Sequence, residues 1–159
     1  MNLKELNQTI WDRLDKYPKH NRHLVEIKTS QIPGAGLGLF AQADIPKGTL
    51  IDVYYGKRLN SDQFDWNEAH KMMYLVEIND NLFIDGGGEY KNFISFCNDA
   101  RGLTRVKGIR NNCYFDHTED KKNMALITSR NIKAGEELFV YYGSSYWRVI
   151  DKFIKEGLL

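Results

Sequence analysis

The side chains in this sequence best suited to chemistry are aromatic hydroxyls rather than acid–base pairs. Glu136 to Trp147 reads Glu-Glu-Leu-Phe-Val-Tyr-Tyr-Gly-Ser-Ser-Tyr-Trp. Leu138 to Tyr142 has the β-branched and aromatic content of a strand, and Gly143-Ser144-Ser145 is a turn signal. Tyr141 and Tyr142 therefore fall where a strand ends and the chain turns. An aromatic core strand is the plainer reading of such a run. Upstream, Gly34, Gly36 and Gly38 alternate within Ile32 to Ala41. Loss of Cβ atoms along one side lets a backbone or a ligand approach closely. A dinucleotide fingerprint would lead into a long helix, whereas Ala43-Asp44-Ile45-Pro46-Lys47-Gly48 is a turn, so that reading is rejected. A tight turn and a ligand-contacting loop both stay open. The two cysteines, Cys97 and Cys113, form no CxxC, and the four histidines show no HxxxH or HxxH spacing, so no structural zinc site is expected.

The elements that must carry these groups are short. Leu3, Leu6, Ile10, Leu14 and Tyr17 recur at helical spacing, and Pro18 ends the pattern. Strands are expected at Leu24–Lys28, Thr49–Tyr55, Tyr74–Ile78, Asn81–Asp85, Cys113–Phe115 and Met124–Thr128, with Asn79-Asp80 turning a hairpin. Asp62–Lys71 reads as polar helix or irregular chain, Gly86-Gly87-Gly88 as a flexible break, and Phe93–Cys97 as a compact apolar run. Ile132-Lys133-Ala134-Gly135 repeats the turn chemistry of Ile45-Pro46-Lys47-Gly48. Val149, Ile150, Phe153 and Ile154 suit a short terminal helix after Trp147. Many short strands with frequent turns mean a mostly β domain. A chain of 159 residues supports one such domain. We place a helical extension at 1–22, the main domain at 23–150 and a helical tail at 151–159.

Charge is nearly balanced, with 22 Lys+Arg against 21 Asp+Glu, which argues against a dominant nucleic-acid or membrane-surface role. No apolar run approaches the ~20 residues of a membrane span. The N-terminus carries no apolar signal segment, so an intracellular protein with reduced cysteines is expected. Arg101, Arg105, Lys107 and Arg110 make the loop from Arg101 to Asn111 basic. By default it is a solvated loop; a rim that recognises an acidic partner is the alternative.

The order of pieces is distinctive. Gly36-Leu37-Gly38-Leu39-Phe40-Ala41 is followed by the Ile-Pro-Lys-Gly turn, Tyr54-Tyr55-Gly56, Tyr74 to Ile78, Ile84-Asp85-Gly86 and Asn92 to Ala100. Ala134 to Leu138, Tyr142-Gly143 and Tyr146-Trp147 complete it. Taken together, this resembles the SET-domain protein lysine methyltransferases across roughly residues 24 to 150. The resemblance implies a mostly β, β-clip fold of small curved sheets with a C-terminal pseudoknot, to which an N-terminal helix and a short C-terminal helix are added. It implies S-adenosylmethionine as methyl donor, S-adenosylhomocysteine as product, and no metal. The acceptor is then an exposed lysine of a histone tail or another protein, with no need for nucleic acid or membrane. A histone substrate would place the chain in the nucleus, and another protein in the cytoplasm. Ala35, Gly36, Leu37 and Gly38 match the first donor-binding segment. Asn98 fits the asparagine of the family's Asn-His pair, and Asp99 stands where the histidine would be. Trp147 would offer a stacking face near the adenine. Tyr142 matches the catalytic tyrosine, which also touches the donor, and Tyr54 and Tyr74 match aromatic residues of the lysine channel. The position two before Tyr142, which helps set the number of methyl groups in the family, is Val140; its small size leads us to expect more than one addition. Cysteine-rich zinc-binding flanks, which many members carry, are not seen in this sequence, so the resemblance is to a minimal SET domain.

That chemistry suits these residues. The nucleophile must be a neutral amine, whereas free lysine titrates near ~10.4. A narrow aromatic channel disfavours the ammonium by desolvation, and tyrosine faces tolerate the cation during entry. Orientation then supplies most of the acceleration. A catalytically inactive SET-like interaction domain is the competing expectation, since fold resemblance alone does not establish activity.

Overall fold

The computed structural model describes residues 1–63, 73–102 and 105–157. Most of the segment Asp62–Lys71 lies outside the described residues. The first helix, α1 (Leu3–Leu14), starts with a capping box. The Asn2 side chain accepts from the Glu5 N–H at 2.8 Å, and the Glu5 carboxylate accepts from the Asn2 N–H. Of the expected apolar stripe, Ile10 and Leu14 are buried. Tyr17 lies past the helix end and stacks on Tyr55 with ring centroids 4.2 Å apart. Asn7 docks α1 sideways: its side-chain amide accepts from and donates to the Ile27 backbone, as a neighbouring strand would.

Among the described residues, nine strands form three small antiparallel sheets. One holds β1 (Val25–Thr29), β2 (Leu37–Ala41) and β9 (Glu137–Leu138) in the order β1-β2-β9. A second holds β3 (Leu50–Val53), β7 (Cys113–His117) and β8 (Met124–Thr128) in the order β3-β8-β7. The third holds β4 (Lys57–Asn60), β5 (Leu75–Asn79) and β6 (Leu82–Asp85) in the order β4-β6-β5. The β5–β6 hairpin turns at Asp80-Asn81, one residue later than expected, because the Asn79 side chain accepts from the Asn81 and Leu82 N–H groups. Strand β4 was not expected, since Lys57-Arg58-Leu59-Asn60 is mostly polar; it is an edge strand, where polar residues are tolerated. The two chemically alike turns meet in space: Ile45 and Ile132 exchange N–H···O bonds of 2.7 and 2.8 Å.

The C-terminal segment is threaded. After pairing Leu138 with Leu39, it bridges in parallel to Asn98 through Phe139 and to Cys113 through Val140. The Val140 N–H donates to Asn98 O on one side, and the Asn112 and Cys113 N–H groups donate to Phe139 O on the other. The Asn112 side chain completes the clamp, accepting from Phe139 N at 2.8 Å and donating to Glu137 O at 3.0 Å. This is the arrangement expected of the pseudoknot. Regular pairing stops at Leu138, so the expected strand Leu138–Tyr142 is shorter than its composition suggests, because its partners here are two separate segments rather than one strand. The Gly143-Ser144-Ser145 turn is in fact the start of α2 (Ser144–Lys155), with Gly143 at φ +99° as its N-cap. Trp147 therefore sits inside this helix, buried with Ile150 and Phe153, and the boundary drawn at 150/151 falls within it.

One buried ion pair fastens α1 to the core. Arg22 Nε lies 2.8 Å from Asp52 Oδ2, and both side chains are almost fully enclosed. The guanidinium also donates to the carbonyls of Leu14 and Pro18. Burial pushes the Asp52 carboxyl above its ordinary range despite the neighbouring cation.

Candidate active site

Two cavities meet at a wall of aromatic residues. The larger, about 520 Å³, is bounded by the loop Ile32–Ala35, Leu37, Asn98, Asp99 and Trp147. The smaller, about 290 Å³, is bounded by Tyr54, β5, Ile94, Cys97, Phe115 and Tyr141. Tyr74, Ser95, Tyr142, Tyr146 and Met73 line both.

Tyr142 is fixed at two points. Its N–H donates to Asp99 Oδ2 at 3.0 Å, and its hydroxyl donates to Cys97 O at 2.6 Å. Burial holds its phenol well above the ordinary range, so the hydroxyl keeps its proton. Tyr54 is held in the same manner: its hydroxyl donates to Tyr74 O at 2.7 Å, and burial raises its pKa strongly. Glycine at position 86 makes room for this hydroxyl, because a Cβ there would collide with Tyr54 Oη. The triple glycine read as a flexible break is thus partly a packing requirement. Tyr146 stands edge-on to Tyr142 with centroids 4.9 Å apart, and burial pushes its phenol up to about 12.

Asp99 is almost fully buried and organises the far side of Tyr142. Its carboxylate accepts from Arg101 N at 2.9 Å, Asn111 Nδ2 at 3.2 Å, Tyr142 N at 3.0 Å and Trp147 Nε1 at 2.7 Å. Four donors on one carboxylate fill most of its acceptor capacity. A second buried carboxylate, Glu137, accepts from Ser30 Oγ at 2.7 Å and Gln31 N at 2.8 Å. The Asn98 side chain donates to Leu37 O at 3.0 Å and reaches Glu137 Oε2 at 3.4 Å.

Most of the expected site residues come together. Ala35, Leu37, Asn98, Asp99, Trp147, Tyr142 and Tyr74 border the larger cavity; Tyr54, Tyr74 and Tyr142 border the smaller one. Three expectations need correction. Gly36 and Gly38 are not in the wall, and what approaches Gly38 is Glu137, whose carboxylate would collide with any Cβ there. Val140 does not line the channel. It has no exposed surface and packs in the main core, because its backbone is held between Asn98 and Cys113. The volume argument for repeated methylation from Val140 therefore fails. Trp147 borders the cavity, but its ring already carries the Arg101 guanidinium, which lies 4.3 Å from the ring centre and pairs with Asp151, and Tyr142 stacks near-parallel at 6.1 Å. Arg101 is thus folded onto the site, apart from Arg105, Lys107 and Arg110.

Several residues that build the site were not expected. Tyr146 belongs to a recognised dipeptide but carried no role. Ser95, which donates to Gly86 O at 2.7 Å, and the hubs Glu137 and Asn112 gave no local signal. Cys97 and Cys113 are free and buried, and burial raises both thiols, Cys113 to about 12, so neither is a ready nucleophile. Among the described residues, no group of three or more His, Cys, Asp or Glu could hold a metal ion, and no helix is long and apolar enough to cross a membrane.

The SET domain family matches residues 36–143, well over half of the chain, and the chain belongs to that family. It is 28% identical over 126 residues to the histone-lysine N-methyltransferase SETD7 of Halocynthia roretzi, covering 77% of this chain and 32% of that protein. It is 27% identical over 148 residues to the histone-lysine N-methyltransferase EZH2 of Chaetomium thermophilum, covering 84% of this chain and 9% of that one. An H3 lysine-36 specific histone-lysine N-methyltransferase of Gibberella zeae is 31% identical over 116 residues, covering 67% and 12%. The chain thus spans less than half the length of these relatives. In fold it is similar to a chain of "ctPRC2 in an autoinhibited conformation bound to S-adenosylmethionine", with a TM-score of 0.60 and 24% identity over 84% of this chain and 17% of that one.

Proposed function

We propose that this chain is a protein-lysine N-methyltransferase that uses S-adenosylmethionine. The observation that carries this reading is the pair of cavities sharing the Tyr74–Tyr142 wall. A volume of about 520 Å³ suits a nucleoside-sized ligand, within the ~300–1,000 Å³ common for such sites. Ala35, Leu37, Asn98, Asp99 and Trp147 would hold the donor, which supplies a sulfonium-bound methyl group. The smaller cavity would admit the lysine side chain between Tyr54, Phe115 and Tyr142.

What the chain's own residues do follows from their partners. Tyr54 and Tyr142 donate their hydroxyl protons to backbone carbonyls, which leaves their oxygens to act only as acceptors; the Tyr54 oxygen lies against Ser95 and Gly86, so Tyr142 is the one we assign to the incoming amine. Such acceptors orient an incoming amine and contact polarised methyl hydrogens. The aromatic walls exclude water and disfavour the ammonium form. With both phenols held neutral, neither acts as a base below the ordinary tyrosine range, and the amine's proton leaves to water before attack. The buried Asp99 carboxylate gives the larger cavity a favourable field for a sulfonium.

The histone-lysine methyltransferase relatives support a histone tail as acceptor, which would place the reaction in the nucleus; another protein with an accessible lysine is the alternative. The purified chain, incubated with labelled donor and histone or lysate proteins, should add methyl groups to lysine, read by mass spectrometry. The Arg101 guanidinium over Trp147 favours the competing reading of a non-catalytic domain. Donor titration separates the two: a chain that shows no donor-dependent heat and no thermal shift is not a methyltransferase.

A further inference from the structure

Lys91 has no role so far, yet it is the one cation in the wall of the larger cavity among the described residues. It precedes the buried Asn92, which caps the 3-10 turn Phe93–Phe96. Its ammonium lies 5.1 Å from the ring centre of Tyr74 and 5.5 Å from that of Phe96. Tyr74 borders both cavities, so the charge sits close to their junction. Its backbone is pinned from α1, where Arg13 Nη1 donates to Lys91 O at 2.7 Å.

The nearest comparable cation shows what sets Lys91 apart. Arg101 lies over Trp147 and pairs with Asp151 at 3.1 Å. No carboxylate among the described residues lies within ion-pair distance of Lys91; its neighbours are two aromatic faces. A half-buried ammonium held by ring faces retains its full capacity to donate to an anion.

Resting on the methyltransferase reading above, we propose that Lys91 anchors the α-carboxylate of the donor. In S-adenosylmethionine a short carbon chain separates that carboxylate from the sulfur. A methyl group at the junction therefore leaves the carboxylate a few ångströms away in the larger cavity, where Lys91 is the one cation of the wall among the described residues. The aromatic pair confines the ammonium without neutralising it, so the charge-assisted bond forms with little reorganisation. The same contact ties α1 to donor binding through Arg13.

The test compares two ligands that differ only in this group: S-adenosylmethionine and its decarboxylated analogue, each titrated calorimetrically into the full chain. Wild type should bind the intact donor about tenfold or more tightly than the analogue, the scale of a charge-assisted hydrogen bond. Lys91→Gln should weaken the intact donor by about that factor and leave the analogue unchanged, which also reports a folded site. Lys91→Arg should keep most of the preference. Equal affinities of wild type and Lys91→Gln for the intact donor overturn the assignment, as does an equal loss on both ligands, which would mean that Lys91 only shapes the cavity. Both of those results leave the methyltransferase reading standing. A wild-type chain that binds neither ligand removes the donor site and Lys91's role with it.

Discussion

The two cavities are walled by different chemistry. On the larger side, buried carboxylates gather the wall: Asp99 collects Arg101 N, Asn111, Tyr142 N and Trp147, and Glu137 collects Ser30, Gln31 and Asn98. On the smaller side, the fastenings are neutral: the Tyr54 and Tyr142 hydroxyls donate to the carbonyls of Tyr74 and Cys97. A wall that carries negative charge suits a cationic ligand; a neutral aromatic wall disfavours an ammonium and favours the free amine. In the proposed methyl transfer, a sulfonium would meet the side organised by buried carboxylates and an uncharged nucleophile the mostly aromatic side, where Glu77 also borders the cavity. Tyr142 belongs to both walls, through its backbone on the charged side and through its hydroxyl on the neutral side.

Removing the hydroxyl is the sharpest way to break this division. Tyr142→Phe should cut methyl transfer at least ~10²-fold, the scale on which misplaced reacting groups are felt. Donor affinity should stay near wild type, because the Tyr142 N–H contact with Asp99 survives. Unchanged turnover in a radiolabel assay would take Tyr142 out of the chemistry.

Asp99→Asn attacks the other wall. An amide cannot accept from all four donors, so at least one buried N–H loses its partner, at about 1–3 kcal/mol. Chemical denaturation should show that loss, and calorimetry should show weaker donor binding. A stable variant with intact donor affinity would mean that the charged wall is not needed.

Val140→Tyr tests where the smaller cavity ends. Because Val140 is sealed in the core, the larger side chain should overpack it, at about 1–3 kcal/mol of stability. Product masses from whatever protein folds should match wild type. A shift toward a single added methyl would place Val140 at the channel after all.

The smallest effect concerns pH. The phenols of Tyr54, Tyr142 and Tyr146 are raised in the folded state, Tyr146 to about 12. A raised pKa means that the folded chain binds the proton more tightly than the unfolded one. The associated stability is fully present below about pH 10, the unfolded value, and is lost as pH climbs toward the folded value. Between neutrality and about pH 9, the urea midpoint should not respond to these groups, and the transfer rate should rise with deprotonation of the substrate lysine. A fall in rate over that range, with the fold intact, would point to a titrating group other than these phenols.

Much of the architecture was readable along the chain. Alternation placed β1, β3, β5, β6, β7 and β8 to within a residue or two, and the cap and stripe of α1 were local signals. The matched turns at Ile45 and Ile132 were visible as chemistry, although their pairing was not. Strand β4 was hidden because an edge strand needs no apolar face. The motif order brought Tyr54, Tyr74, Asn98, Asp99, Tyr142 and Trp147 to one site.

What the sequence determined by itself is what short-range physics controls: period, turn residues, helix caps and the order of motifs. What only the tertiary structure decided is which polar groups meet. Ser30 and Glu137 are 107 residues apart, Asn98 and Leu37 are 61 apart, and Asp99 and Trp147 are 48 apart. No local pattern marks Glu137 as buried, Gly38 as the space for its carboxylate, or Val140 as sealed from the channel. Those facts follow from threading β9 and the residues after it between two earlier segments. Threading converts an ordinary-looking aromatic strand into a clamp, because each backbone and side-chain polar group buried there must find a partner in whichever segment passes beside it.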